Sequence, residues 1–361
     1  SMVGTFLVRS GILTSVHAFA VDPRRGGFIL ILLALYIGAA LALFASRIGT
    51  VREGKTFNAI SREGALVANN LLLSVILVIV LVGTLYPLVL ESFGGTRLSV
   101  GAPYFNSAAG PVALGLMVVM AIGPLVRWRQ DHVAAIIERL RWPIFGGALL
   151  LFLVALLAPP MGLLPLLGLL VAAMVATASI APLWKRDLRR TPLFTYGMVI
   201  AHLGCAVTVA GIACDSAFTK ERLVAMSIGD TQSVGPFVVT LAAVRELPGP
   251  NWSALDAEMQ VQRGTGAPFA MHPQSRTFLN PQMETAESAI KTMWDGQLYL
   301  VVSGQTEPGR WPVRMWWKPM VTLIWIGGAL IALGGLFSMI GRVDRDLWSR
   351  RTGFRHGKNA A

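Results

Sequence analysis

The chain has 361 residues, of which 54% are hydrophobic and only 14% charged, with a formal net charge of +12 and a mean hydropathy of +0.61. Soluble domains carry about 25% charged residues, so this composition excludes an ordinary soluble enzyme and predicts a mainly α, polytopic membrane protein. The positive charge does not point to nucleic acid. Lys and Arg collect in short loops between apolar runs, as the positive-inside rule expects, and no RNA- or DNA-binding motif appears.

The first segment, residues 1–27, precedes any long apolar run. It contains the stretch Val3-Gly-Thr-Phe-Leu-Val-Arg-Ser-Gly-Ile-Leu-Thr-Ser-Val-His-Ala-Phe19, with Arg9 and His17. A histidine at a membrane edge reads either as a polar residue among headgroups or as a ligand, since neutral imidazole is a common donor to metal and haem iron. Arg9 reads first as a headgroup contact. The chain opens Ser-Met and runs straight into sequence of mid-protein character, without a charged n-region and cleavage site, which predicts a fragment or a split gene product.

A spanning helix needs about 20 mostly apolar residues. Stretches 28–46, 66–90, 111–126, 143–158, 162–182, 194–213 and 320–341 qualify or nearly do, which predicts about seven spans: six in a transmembrane region over 28–213, and a last one in 318–361 ahead of a basic tail. The third could begin nearer Ala108, and Pro159-Pro160 predicts a tight turn between the fourth and fifth. Arg47, Arg52, Lys55 and Arg62 follow the first span, Arg127, Arg129, Arg139 and Arg141 the third, Lys185, Arg186, Arg189 and Arg190 the fifth, and a run from Arg342 to Lys358 the seventh. With seven spans these basic segments share one side, which predicts a cytoplasmic C-terminus and an extracytoplasmic His17.

Residues 214–317 differ in kind. Between 215 and 315 there are 8 Lys and Arg against 10 Asp and Glu. Phe237–Val244 and Gln297–Val302 alternate like strands, and Pro248-Gly-Pro250, Asn280-Pro281 and Pro308-Gly309 punctuate them as turns. This predicts a small, β-rich extracytoplasmic domain. Trp311, Trp316 and Trp317 fall just before the last apolar stretch and read as an interfacial aromatic belt at its entry.

His202 lies inside the sixth apolar stretch, in Tyr196-Gly-Met-Val-Ile-Ala-His-Leu-Gly-Cys-Ala-Val207. An ionisable side chain within a bilayer is costly and marks a functional candidate, although a neighbouring helix can also satisfy it. Gly197, Gly204 and Gly211 recur every seven residues and give the helix a smooth side for another helix or a flat macrocycle. Cys205 and Cys214 lack CxxC spacing and read as small apolar fillers. His132 and His356 lie in basic segments, where a solvated role fits; His272, in the polar insert, reads as structural, with contact to a partner as the alternative.

The stretch Gly4-Thr-Phe-Leu-Val-Arg-Ser-Gly-Ile-Leu-Thr-Ser-Val-His-Ala-Phe-Ala20 and the segment around His202 resemble the CcmF family of bacterial cytochrome c maturation proteins, whose relatives include CycK and NrfE. The resemblance is strongest over 4–26, 64–93, 194–213 and 315–342. It implies that His17 is an axial ligand to an external haem and that His202 is an axial ligand to a resident transmembrane haem b. It also turns Arg9 into a candidate contact for a haem propionate, a role that suits guanidinium geometry. It implies a bacterial inner-membrane protein with the large loop in the periplasm, acting as a haem lyase component. Haem would be both resident cofactor and substrate, attached through thioether bonds to the CxxCH thiols of apocytochrome c.

The partners implied are the N-terminal portion of CcmF, CcmH, haem-loaded CcmE, apocytochrome c and the lipid bilayer. The family's Trp-rich haem segment and its other two histidines lie upstream of the residues matched, so each haem here has one candidate axial ligand and the chain alone is expected to be incomplete. No residue is assigned a bond-making role. A haem transporter, or a non-catalytic assembly scaffold, are the alternative readings.

Overall fold

The computed structural model describes residues 2–9, 23–50, 56–94, 100–184, 187–280, 282–305 and 307–356. The chain divides into two compact units, Ser1–Gly115 with Arg127–Asp131, and Leu116–Val126 with His132–Ala361. Among the described residues, six helices are long and apolar enough to cross a membrane. The outcome is a polytopic, mostly helical chain with a β-rich domain, as composition and periodicity predict.

The first unit holds α1 (Met2–Arg9), α2 (Pro23–Arg47), α3 (Arg62–Ser92) and the start of α4 (Ala102–Ile122). Gly83 lets α3 and α4 approach closely, because a Cβ there would meet Tyr104 Cε1 at 2.6 Å and Phe105 Cε1 at 2.8 Å. α4 begins at Ala102, nine residues before 111 and six before Ala108, the earlier start the sequence also allows; proline at 111 is accommodated inside it. The segment before α3 is tied to residues 127–131: Asn58 N–H donates to Arg129 O at 2.9 Å, Arg62 N–H to Arg127 O at 2.9 Å and Asp131 N–H to Ile60 O at 2.8 Å. The Arg129 amide also donates to Glu63 Oε2 at 2.8 Å, and the Arg62 guanidinium lies 5.0 Å from the Trp128 ring centroid. Two basic loops are thereby laced by backbone bonds rather than left as free coil.

The second unit continues with α5 (Val133–Leu157), α6 (Leu163–Ile180), α7 (Leu193–Phe218) and α8 (Thr322–His356), with a sandwich inserted between α7 and α8. The expected fourth span, 143–158, falls within α5. This helix is continuous through Pro143, and its apolar second half holds that stretch, although it is not among the six candidates found among the described residues. The helices pack α5 on α6, α6 on α7 and α7 on α8. Gly146 and Gly147 bring α5 against Thr177, Leu170 and Met174 of α6.

The inserted domain has two antiparallel sheets. The smaller runs β1 (Lys220–Met226), β10 (Trp311–Pro319), β9 (Gly296–Val302), β8 (Ala289–Met293) in spatial order. The larger runs β2 (Thr231–Val234), β3 (Phe237–Pro248), β4 (Trp252–Arg263), β6 (Gln274–Leu279), β7 (Gln282–Glu287), with β5 (Phe269–Met271) also on β4. Alternation builds the core. Phe237, Val239 and Leu241 from β3 and Met259 and Val261 from β4 are fully buried, facing Leu298, Leu300, Val302, Val313 and Met315 from the other sheet.

The same alternation corrects the reading of the Trp-rich stretch. Residues 311–319 are β10, not a helix entry. Trp317 points into the sandwich core, its ring 5.1 Å from that of Phe237, and only Trp316 faces outward, beneath the Arg314 guanidinium. Period 2 outweighs proximity to the next apolar run here, because Val313, Met315 and Trp317 together complete one face of a strand.

Candidate functional site

α7 carries the intramembrane histidine, and its two faces differ. One face holds Gly197, Gly204 and Gly211, and α8 lies directly against it. A Cβ on Gly204 would be 2.7 Å from the Gly327 carbonyl oxygen, and a Cβ on Gly327 would be 2.6 Å from the Gly204 carbonyl oxygen; Gly197 and Gly334 meet in the same reciprocal way at 2.6 and 2.5 Å. Both pairs recur at seven residues on antiparallel helices. At such approach each glycine Cα–H points at the opposite carbonyl, a weak hydrogen bond worth about 0.5–1 kcal/mol. The Thr208 hydroxyl is buried in this seam, against Gly327. Of the two uses the sequence allows for the glycine stripe, the described structure shows the helix contact.

His202 lies two residues before Gly204, about 160° around the helix from the stripe. It therefore shares the opposite face with the buried residues Val199, Ala206 and Ala213. That face meets α6, where a Cβ on Gly168 would be 3.2 Å from the Ala213 Cβ. The antiparallel register places His202 about level with Ser179, which is buried and donates to the Val175 carbonyl at 2.5 Å. His202 is half-buried. Cys205 and Cys214 are both half-buried thiols on α7, nine residues apart and so on opposite sides of the helix, which rules out pairing with each other.

His17 lies outside the described residues. Arg9 is the last residue of α1, and the structure describes its backbone only. Among the described residues no group of three or more His, Cys, Asp or Glu is arranged to hold a metal ion. His202 is the imidazole within the described membrane helices of the second unit, and the Cys205 and Cys214 thiols and the Met198 thioether on the same helix are further donor types known for haem iron. His202 lies off the face of α7 that α8 fills.

Residues 217–319 match the CcmF C-terminal beta-sandwich family. The chain is 38% identical to the cytochrome c-type biogenesis protein CycK of Rhizobium meliloti, over 95% of this chain and 52% of the relative. It is 39% identical to the cytochrome c-type biogenesis protein CcmF of Escherichia coli, over 94% and 53%, and 31% identical to the NrfE protein of Haemophilus influenzae, over 94% and 54%. The chain belongs to the CcmF family. It spans about half the length of the curated relatives it matches. Its fold is that of the solved cytochrome c heme lyase CcmF, with a TM-score of 0.67 over 90% of this chain and 52% of that one, at 22% identity.

Two polar groupings of this CcmF-family chain escaped the sequence reading. On the outer face of the larger sheet, buried Asp256 accepts from Gln274 Nε2 at 2.8 Å and shares a 3.0 Å bond with His272 Nδ1. Arg276 donates to Gln274 Oε1 from Nε and Nη2 and stacks on Trp252 at 4.5 Å. At one end of the sandwich, Arg263 forms a two-pronged pair with Asp295 and lies over the Phe237 and Trp317 rings, 5.4 and 5.6 Å from their centroids. The guanidinium bond holds the Asp295 carboxyl below its ordinary range. Strand parity could have placed His272, Gln274 and Arg276 on one face. Nothing local in the sequence links Arg263 to Asp295, 32 positions away.

Proposed function

We propose that the chain is a haem-binding membrane subunit of cytochrome c maturation, which positions haem for thioether attachment to the CxxCH motif of apocytochrome c. The observation that carries this reading is His202: an imidazole on the α6-facing side of an apolar helix, in a chain whose relatives are cytochrome c-type biogenesis proteins. An ionisable residue inside an apolar membrane helix is costly and marks a functional candidate.

In this proposal His202 is an axial ligand to a resident haem b, and His17, on the extracytoplasmic side, is an axial ligand to the haem being delivered, with Arg9 contacting a propionate. The resident haem, when bound, supplies the electron that keeps the substrate iron reduced. The protein's own part is to hold and orient. α7 is clasped by α8 through its glycine pairs, which fixes the height and rotation of the helix that bears His202. The second axial ligand of each haem, and hence a complete lyase, comes from the N-terminal portion of CcmF. CcmH, haem-loaded CcmE and apocytochrome c are the further partners.

The proposed organisation is an external haem segment over 1–27, a transmembrane region over 28–213, a periplasmic domain over 214–317, and a last helix with a basic cytoplasmic tail over 318–361, in the bacterial inner membrane. The orientation is supported by the second unit, where α7 and α8 run antiparallel with the sandwich between their adjoining ends and Arg189, Arg190 and Arg342 toward the others.

The test is a visible spectrum of the chain produced together with the N-terminal portion of CcmF. A low-spin bis-histidine signature is expected, lost in His202→Ala and changed in His202→Met, with helical content kept. A signature that survives His202→Ala unchanged overturns the ligand assignment.

A further inference from the structure

The end of the sandwich nearest the membrane is set by backbone bonds. β8 and β9 are joined by a two-residue turn, Trp294-Asp295, with Met293 opposite Gly296. Gly296 packs so tightly on β10 that a Cβ there would be 2.5 Å from the Lys318 carbonyl oxygen. The Asp295 carbonyl accepts from the Met320 amide at 2.8 Å, and the Trp294 carbonyl accepts from Thr322 Oγ1 at 3.3 Å. Thr322 opens both α8 and the candidate span Thr322–Val343. The turn is therefore bonded to the residues where the chain enters the membrane-crossing helix.

At this level two indoles are uncovered. Trp294 is 84% exposed and Trp325, on the first turn of α8, is 70% exposed. Trp325 lies two residues before Gly327, about 160° from the face that packs on α7, so it points away from the helix pair. Charge is balanced at the same end: Asp295 is held by Arg263, and Lys318 Nζ lies 3.4 Å from Asp215 Oδ1 at the end of α7. An exposed indole with its neighbouring carboxylate neutralised suits the interfacial layer of a bilayer, where the ring buries apolar area and its N–H still finds acceptors.

We propose that the β8–β9 turn is a lipid-binding device: Trp294 inserts its indole into the interfacial layer of the leaflet on the sandwich side, level with Trp325, and the bilayer covers this end of the sandwich. The aromatic belt of this helix entry is then Trp294 and Trp325 rather than Trp316 and Trp317. The proposal requires α8 to span the membrane and is independent of the haem reading.

The test uses the full chain with Cys205→Ala and Cys214→Ala, reconstituted in phosphatidylcholine vesicles. An environment-sensitive fluorophore is placed on Trp294→Cys, on Trp325→Cys, or on Gln305→Cys in the β9–β10 connection at the far end of the strands. Lipids with a nitroxide near the headgroup are expected to quench the label at 294 and at 325 about threefold more than at 305, with a blue-shifted emission at 294. Equal lipid quenching at 294 and 305 overturns the proposal, whether aqueous iodide reaches the label, so that the turn stands clear of the membrane, or not, so that protein covers it. Lack of lipid quenching at 325 overturns it as well. Circular dichroism of each labelled variant, matched to the parent, shows that the fold is kept.

Discussion

Replacing Gly327 by alanine tests the helix clasp on which the placement of His202 depends. A Cβ there would meet the Thr208 hydroxyl at 2.2 Å, the Gly204 carbonyl oxygen at 2.6 Å and the Thr208 amide nitrogen at 2.6 Å. Two of the three are backbone atoms, so α7 and α8 must separate by about 1 Å to restore ordinary packing, since atoms sit at roughly 3.5 Å. Forced overpacking of this kind costs about 1–3 kcal/mol. Breaking both reciprocal Cα–H···O bonds of the Gly204–Gly327 pair adds about 1–2 kcal/mol.

Gly328, the next residue, has no atom within 4 Å of a built Cβ, so alanine there only improves helix propensity, by about 1 kcal/mol at most. Gly327→Ala is expected to destabilise the protein by about 2–5 kcal/mol against little change or a gain for Gly328→Ala. The assay is reversible unfolding in mixed micelles followed by far-ultraviolet circular dichroism. The pair Gly204→Ala and Gly327→Ala should be less than additive, because both open one seam. Equal effects of alanine at 327 and 328 would refute the reasoning.

Three further outcomes follow from the sandwich. Phe237→Ala should cost about 3–5 kcal/mol, since the ring is fully buried against Trp317; loss of the near-ultraviolet tryptophan signal at lower temperature, with helical signal retained, checks it. Because Arg263 lowers the Asp295 pKa in the folded state, the pair contributes stability above the ordinary carboxylate pKa and loses it as pH falls through the depressed folded value; Asp295→Asn should flatten the acid-side decline in thermal midpoint. Gly235→Ala should destabilise the domain, by about 1–3 kcal/mol, because the position has φ +55° and a Cβ would meet the Trp317 indole at 2.5 Å; chemical denaturation followed by Trp fluorescence reads it.

Much of the membrane region is legible in the sequence, because a bilayer admits few solutions: long apolar runs must be helices. The runs at 28–46, 66–90, 162–182, 194–213 and 320–341 all coincide with candidate spans to within a few residues. Less legible was the start of α4, which lies at Ala102, six residues before the Ala108 that the sequence allows. The β-rich character of the insert came from period-2 runs that became β3 and β9. Trp316-Trp317 misled because an aromatic pair beside an apolar run fits both an interfacial belt and a strand, and only the alternation with Val313 and Met315 separates them.

His202 stands out in the sequence as a titratable group inside an apolar run, and the structure places it on α7. The role of its glycine neighbours does not stand out, since a smooth helix side does not reveal what lies against it; the matching glycines of α8 are distant in sequence. Arg263 with Asp295 was likewise hidden, as ion pairs across strands leave no local pattern.

The inserted sandwich leaves and re-enters the helical layer at nearly one point. Lys220, two residues past α7, is paired with Trp317, a few residues before α8, and β1 and β10 stay paired from there to Met226 and Trp311. Paired strands lie about 5 Å apart, so the domain behaves as a cassette on a two-stranded stalk. A short linker from Phe218 to Thr322 would close the gap without disturbing the α7–α8 seam, and a foreign domain with adjacent termini could be mounted on the same stalk. Whatever the sandwich touches, its load reaches both helices at once, through the paired strands β1 and β10.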